Sequence, residues 1–167
     1  MNIKPNNTER VLKENELLVT KTDLKGNITY ANRNFLRIVG LNENDLIGKP
    51  HNIIRHPDMP KIIFKYLWEY LQKDTEIYAY VKNLCADGSY YWVLANVSPS
   101  YNPSTNKVIG YHSARRKPTK KSLDIIVPLY KQLLLAEKSG GITASEEIIN
   151  KLLQEKGMNY DEFILSF

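Results

Sequence analysis

Cysteine is almost absent from this chain. Cys85 stands alone among 167 residues, which excludes an internal disulfide and a cysteine-rich metal cage and points to a reducing compartment. Long apolar runs are missing as well: no stretch approaches the ~18 apolar residues of a membrane span, and Asn2 to Arg10 lacks the apolar core of a secretion signal. A cytoplasmic protein is therefore expected. The glycines form neither a phosphate loop nor a dinucleotide fingerprint, and no Gly-x-Ser-x-Gly elbow occurs, so the common signatures of nucleotide and acyl-transfer enzymes are lacking and no enzyme is expected. A surplus of one charge is small too. The net +5 is spread along the chain apart from Arg115-Arg116-Lys117 and Lys120-Lys121, which allows attraction to an acidic partner but argues against nucleic-acid binding.

What remains is ordinary globular material. Hydrophobic content of 43% and charged content of 25% suit a soluble domain, and 167 residues suit one such domain plus an appendage. Glu16 to Asp23 reads as a first strand, and Gly26-Asn27 turns the chain into Ile28-Thr29-Tyr30-Ala31. Asn32 is placed to cap a short helix carrying Phe35, Leu36, Ile38 and Val39, which Gly40 closes. Another short helical turn over 43–48 ends at Pro50. A longer helix follows Pro60, with Ile63, Phe64, Leu67, Trp68 and Leu71 on one face. Alternation over 75–84, an Asp87-Gly88 turn, and further strands over 89–97 and 107–115 complete the pattern. Strands without intervening βαβ units predict an α+β domain: a five-stranded antiparallel sheet with short helices gathered on one face.

Between the short helices and the long one lies His51-Asn52-Ile53-Ile54-Arg55-His56-Pro57-Asp58-Met59-Pro60. Two histidines, an arginine and an aspartate fall within eight residues, interleaved with apolar side chains that pull the segment toward a core. Burying that many polar groups without partners is costly, and a bound polar ligand resolves the conflict. Arg55 can fork around a phosphate, a histidine can donate to a phosphate or ring carbonyl, and Asp58 can orient Arg55 or His56. A structural Arg55–Asp58 ion pair is the plainer alternative. A zinc pair is not expected, because His51 and His56 are five apart in loop-like sequence and miss the i, i+4 spacing of a helical metal face.

This run, together with Asp23-Leu24, Ala31-Asn32, Val81-Lys82-Asn83, Tyr91-Trp92-Val93 and Ala95-Asn96, resembles the Aer-type flavin-binding PAS domain, over roughly two-thirds of the chain. The resemblance extends into Pro128-Leu129-Tyr130-Lys131. It implies the PAS fold and FAD as cofactor. It also implies that Arg55, His56 and Asp58 take the family's cofactor-binding positions, with His51 heading the run, Asn32 and Asn83 as amide contacts, and Trp68 walling the pocket. Read from the residues alone, Asn32 is equally a helix cap, Trp68 a core residue and Asn83 a partner for a buried backbone group. One position departs from the family. Ile77, in Asp74-Thr75-Glu76-Ile77-Tyr78-Ala79, replaces a tryptophan associated with the flavin pocket. Cys85 lies beside a turn and not in the helical motif of light-sensing relatives, so no flavin photoadduct is expected.

The sequence divides into an N-terminal cap segment (1–15), a PAS sensor domain (16–117) and a helical C-terminal extension (118–167). In the extension, Leu123, Ile126, Tyr130, Leu133 and Leu134 follow helical spacing, and Pro128 is expected to kink this helix or mark its start. Thr143 and Glu146 read as a capping box for a second helix, and Tyr160, Phe163 and Ile164 mark a last short one. This tail is expected to dock partly on the sheet and partly on a partner. A chain ending at Phe167 resembles the separate sensor subunit of bipartite energy-taxis systems of the CetB kind. Together these readings imply a redox or oxygen sensor that relays to a membrane-bound methyl-accepting chemotaxis transducer, with a homodimer compatible. The alternatives are a cofactor-free PAS interaction module, argued from Ile77, and a haem-binding gas sensor with His51 or His56 as axial ligand.

Overall fold

The computed structural model describes residues 3–167. Its strands β1 (Leu18–Thr22), β2 (Ile28–Ala31), β3 (Ile77–Leu84), β4 (Tyr90–Tyr101) and β5 (Val108–Arg116) form one antiparallel sheet in the order β2-β1-β5-β4-β3. The first strand thus lies beside the last. The chain segment between β2 and β3 holds the helices α1 (Arg33–Val39), α2 (Glu43–Leu46) and α3 (Lys61–Leu71), with a 3-10 turn at His51–Ile54. Local chemistry sets the β1–β2 hairpin: the Asp23 carboxylate accepts from the backbone of Lys25 and Asn27, and Gly26 adopts φ +81, which a side chain would resist. β4 runs past the expected end at Val97 to Tyr101, because Ser98 to Ser100 continue to pair with His112 to Gly110.

Cross-strand register decides which side chains meet. One row across the sheet runs Thr20, Ser113, Val97, Ile77, and the next runs Leu18, Arg115, Ala95, Ala79. These rows lie on the face that α1 to α3 cover. The period of two sends Tyr80, Trp92 and Leu94 to the opposite face, where they are nonetheless buried. What covers them is the C-terminal pair of helices, α4 (Lys120–Lys156) and α5 (Tyr160–Leu165). The Trp92 and Tyr130 rings lie 5.9 Å apart, and the Tyr80 hydroxyl donates to the Ile164 carbonyl.

The outer edge of β3 is also closed. The Lys82 carbonyl accepts from the His56 amide, the Tyr80 carbonyl accepts from the Tyr130 hydroxyl at 2.7 Å, and Tyr78 N–H donates to Asp161. At the start of β4, beside β3, the N-terminal segment pairs its Thr8 and Arg10 backbone with Tyr90 and buries Leu12.

Helix α4 differs from its sequence reading. Thr119 caps it through Ser122 N–H, and it continues through Pro128 without ending or starting there. The hydrogen bond lost at the proline is offset by a buried stripe of Ile126, Tyr130 and Leu133. The actual break is at Gly141, whose φ of 69 and ψ of −166 are non-helical, two residues before the expected Thr143 box. Glu146 does not cap; it ion-pairs with Lys65 on α3.

Candidate functional site

Between the sheet and α3 lies a cavity of about 170 Å³. Its wall is apolar on the helix side, with Phe64, Leu67, Trp68 and Leu71, and on part of the sheet, with Val81, Ala95 and Val97. Its polar end gathers Thr20, His51, Asn83, Ser113 and Arg115. Sequence periodicity explains the placement: α3 presents every third or fourth residue to the cavity, and the strands present alternate residues.

The charge balance is one-sided. Among the described residues, Lys25, Arg55 and Arg115 line the cavity and no carboxylate does. Arg115 is only 5% exposed and has no ion pair among the described residues. Its guanidinium donates to the Thr20 hydroxyl at 3.0 Å and to His51 Nε2 at 2.8 Å. Those bonds make Nε2 the acceptor, so His51 carries its proton on Nδ1. Burial first, and Arg115 second, push the His51 pKa down to about 3, which keeps the ring neutral. Burial also pulls Arg115 down to about 10, leaving it protonated at pH 7. Arg55 lies with its guanidinium 3.4 Å from the centre of the Phe64 ring, and its Nε is buried without a partner. Ser113 Oγ is a second buried orphan at the cavity. A buried arginine without an ion pair, a half-buried one, and orphaned donors beside an apolar slot are what an anionic or carbonyl-bearing ring ligand would satisfy.

The eight residues expected from sequence separate into two groups. His51, Arg55, Asn83 and Trp68 line the cavity, and Asn83 also bridges backbone to backbone with Arg55. Trp68 is 36% exposed and packs edge-on to Tyr111 at 5.7 Å, so it forms the cavity's rim. His56, Asp58, Asn32 and Ile77 are not among the lining residues. His56 is buried beside the loop it belongs to: Nδ1 accepts from Asp58 N–H at 3.0 Å, and the ring meets Tyr90 edge-on. Burial, with Lys82 adding to it and Asp58 opposing, lowers its pKa to about 4. Asp58 pairs with Lys82 at 2.7 Å and not with Arg55. Asn32 caps α1 through Phe35 N–H while its amide donates to the Leu17 carbonyl. Ile77 is fully buried on the cavity-side face, opposite Val97.

Arg115, Thr20, Ser113, Phe64 and Tyr111 line the site without having been singled out from sequence. Alternation through 111, 113 and 115 carried the signal, but the run Arg115-Arg116-Lys117 reads as a solvated basic stretch until the β1–β5 register puts Arg115 inside.

The model of the PAS fold matches residues 28–131. The aerotaxis receptor of Escherichia coli (strain K12) is 39% identical over 122 residues, covering 73% of this chain and 24% of the receptor. The biofilm dispersion protein BdlA of Pseudomonas aeruginosa is 30% identical over 78 residues, 46% of this chain and 19% of that protein. The chain therefore spans about a quarter or less of the length of these curated relatives. Among solved structures, the PAS domain of a Colwellia psychrerythraea protein superposes with a TM-score of 0.56 at 22% identity, covering 62% of this chain and 87% of that one. The light-state LOV domain of the photoreceptor aureochrome 1 gives 0.58 at 19% identity, covering 69% and 90%. Sheet order, helix placement and sequence thus agree, and the chain belongs to the PAS-fold family, among relatives that include an aerotaxis receptor and other signalling proteins.

Proposed function

We propose that this PAS domain is a non-enzymatic redox sensor that holds FAD in the cavity beneath α3 and reports to a separate membrane-bound chemotaxis transducer from the cytoplasmic side. The observation that carries the reading is the pair of cavity-lining cations, Arg55 and Arg115, without carboxylate partners, beside an apolar slot. The resemblance to Aer-type domains and the 39% identity to the aerotaxis receptor support it. A cavity of about 170 Å³ is smaller than the roughly 300–1,000 Å³ typical of pockets that enclose a whole drug-sized ligand. In this reading the ring system takes the cavity and the phosphate end lies at the rim.

When bound, the flavin supplies reversible electron uptake. The residues then have distinct tasks. Arg115, Thr20, His51 and Ser113 offer donors at the inner end, and Phe64, Leu67 and Trp68 exclude water from the ring. Arg55 neutralises the anionic end, steered by its stacking on Phe64. Asn83 offers an amide contact. His56, Asp58 and Asn32 act behind the wall by fixing the 51–60 loop and the β1–α1 junction, and Ile77 fills the sheet where the family's tryptophan would stand. The division into 1–15, 16–117 and 118–167, and a homodimer as the working assembly, belong to the same proposal.

Freshly purified protein should be yellow, with two flavin bands that dithionite bleaches. A colourless protein that also takes up no added FAD would overturn this reading in favour of a cofactor-free interaction module, for which the fully buried Ile77 is the specific argument. A Soret band would establish haem instead.

A further inference from the structure

Helix α3 faces two ways. Phe64, Leu67, Trp68 and Leu71 line the cavity, while the opposite side meets the C-terminal helices. Its N-terminus has no cap of its own: Pro60 occupies the cap position, contributes no side-chain hydrogen bond, and no acidic residue sits in the first turn. The free N–H groups of Lys61 and Ile62 donate instead to the Glu137 carboxylate, at 2.9 and 3.0 Å. Glu137 belongs to α4, just before the break at Gly141, and the Ser145 hydroxyl, just beyond the break, lies 3.1 Å from the same carboxylate and 2.8 Å from the Ile142 carbonyl. Further along α3, Lys65 donates to both oxygens of Glu146 at 2.6 Å, and Tyr66 packs edge-on to Tyr160 at 5.2 Å.

We propose that Glu137 is a latch: a positioning residue that ties the cavity helix to residues 142–167 and passes the state of the cavity to them. The ligand part of this inference rests on the flavin reading above. The carboxylate faces the positive end of α3 and takes two of its orphan donors at once. It can do so only while α3 keeps its place. Signalling shifts of helices are commonly ~1–2 Å, which is enough to break bonds of this length. Because Lys65 of the same helix holds Glu146 beyond the break while Ser145 rests against the Glu137 carboxylate, a displaced α3 loosens the junction at Gly141 from both sides. The first half of α4 stays fixed independently, through Tyr130 on Tyr80 and the buried Ile126 and Leu133. The mobile element is therefore the segment after Gly141, which carries Ile149, Tyr160, Phe163 and Ile164 away from Ile63 and β3 when it lifts.

The test is hydrogen exchange on the full chain, wild type against Glu137→Ala and Tyr130→Phe, each with and without added FAD. In wild type, FAD should change exchange of residues 142–167 by about fivefold or more, the lower end of ordinary coupling strengths. Glu137→Ala should abolish that response and change FAD affinity by a similar factor, since coupling is reciprocal. Tyr130→Phe removes a tail-to-sheet contact without touching α3 and should leave the response in place. A response that survives Glu137→Ala, or is lost equally in Tyr130→Phe, would overturn the latch and move the route to the back of the sheet. Should wild type bind no FAD, the flavin reading fails by itself. The latch is then judged on the ligand-free proteins: Glu137→Ala must raise exchange in the first turn of α3 and in 142–167 together, and a rise in the tail alone refutes it.

Discussion

At the scale of single residues, the cavity's unpaired cations make opposite demands on stability and binding. Arg115 is a buried charge without a carboxylate, and such a group costs stability when nothing occupies the cavity. Arg115→Met should leave the melting temperature of the ligand-free protein equal or higher while lowering retained cofactor; a lower melting temperature would mean that its bonds to Thr20 and His51 outweigh the cost. Arg55→Ala should fold normally, yet losing a charge-assisted contact of about 1.5–3 kcal/mol should cut FAD affinity roughly 10- to 100-fold, read by flavin content after gel filtration. Full occupancy would reduce Arg55 to a lid on Phe64. The two neutral histidines set an acid limit. With pKa values of about 3 for His51 and about 4 for His56, both below the ~6.5 of an unfolded histidine, the unfolded chain takes up protons that the folded one refuses. Stability should therefore fall as pH drops below 6.5, by about 1.4 kcal/mol per unit for each ring until its folded pKa is reached. Urea midpoints at pH 7 and pH 5 check this, and His51→Gln, which keeps an acceptor for Arg115, should flatten the dependence. Arg55 and His51 were legible in the sequence because they sit in a run too polar to bury alone. Arg115 was not, because its burial follows from pairing with a strand nearly a hundred residues away.

At the scale of elements, strands and turns were readable because they rest on period-two alternation and on local turn chemistry such as Asp23 with Gly26. Helix α4 was harder. A proline at position 128 argues locally for a boundary, and the sequence does not display the sheet surface whose burial overrides it. The Thr143 to Glu146 spacing likewise fits a capping box, but Lys65 on a distant helix claims the glutamate. Close approaches between elements are equally silent in sequence. Gly110 on β5 has ordinary backbone angles, yet a Cβ there would press into the Thr22 carbonyl of β1, far inside van der Waals contact. Gly110→Ala should force β1 and β5 apart at the cavity rim, cost ~1–3 kcal/mol and lower the thermal midpoint. An unchanged midpoint would show that the β1–β2 hairpin yields freely.

At the scale of the whole molecule, the C-terminal helices contribute side chains to the same core as the sheet. Ile126, Tyr130, Leu133, Ile149, Phe163 and Ile164 join the same buried cluster as the sheet and α3. Removing 119–167 would uncover Tyr80, Trp92, Leu94 and Ile63, at roughly 1.5–3 kcal/mol for each large apolar side chain, a loss of the same order as the ~5–15 kcal/mol that keeps a whole domain folded. The truncated chain should unfold or precipitate at temperatures where the full chain is stable, as circular dichroism would read; a stable, soluble fragment would contradict it. Sequence periodicity announced these helices and the expectation that they dock partly on the sheet, where Tyr130 meets Trp92 and Ile164 meets Tyr80. The docking has a further consequence through β3. That strand is a sheet edge, and a bare edge is a template on which any extended peptide can add. With its outward carbonyls taken by His56 and Tyr130 and an outward amide by Asp161, β3 offers an arriving strand no ladder to continue. Lifting the tail would therefore expose a nucleus for cross-strand polymerisation along with a greasy surface, and any signal that frees this tail must do so briefly or with a partner strand already at hand.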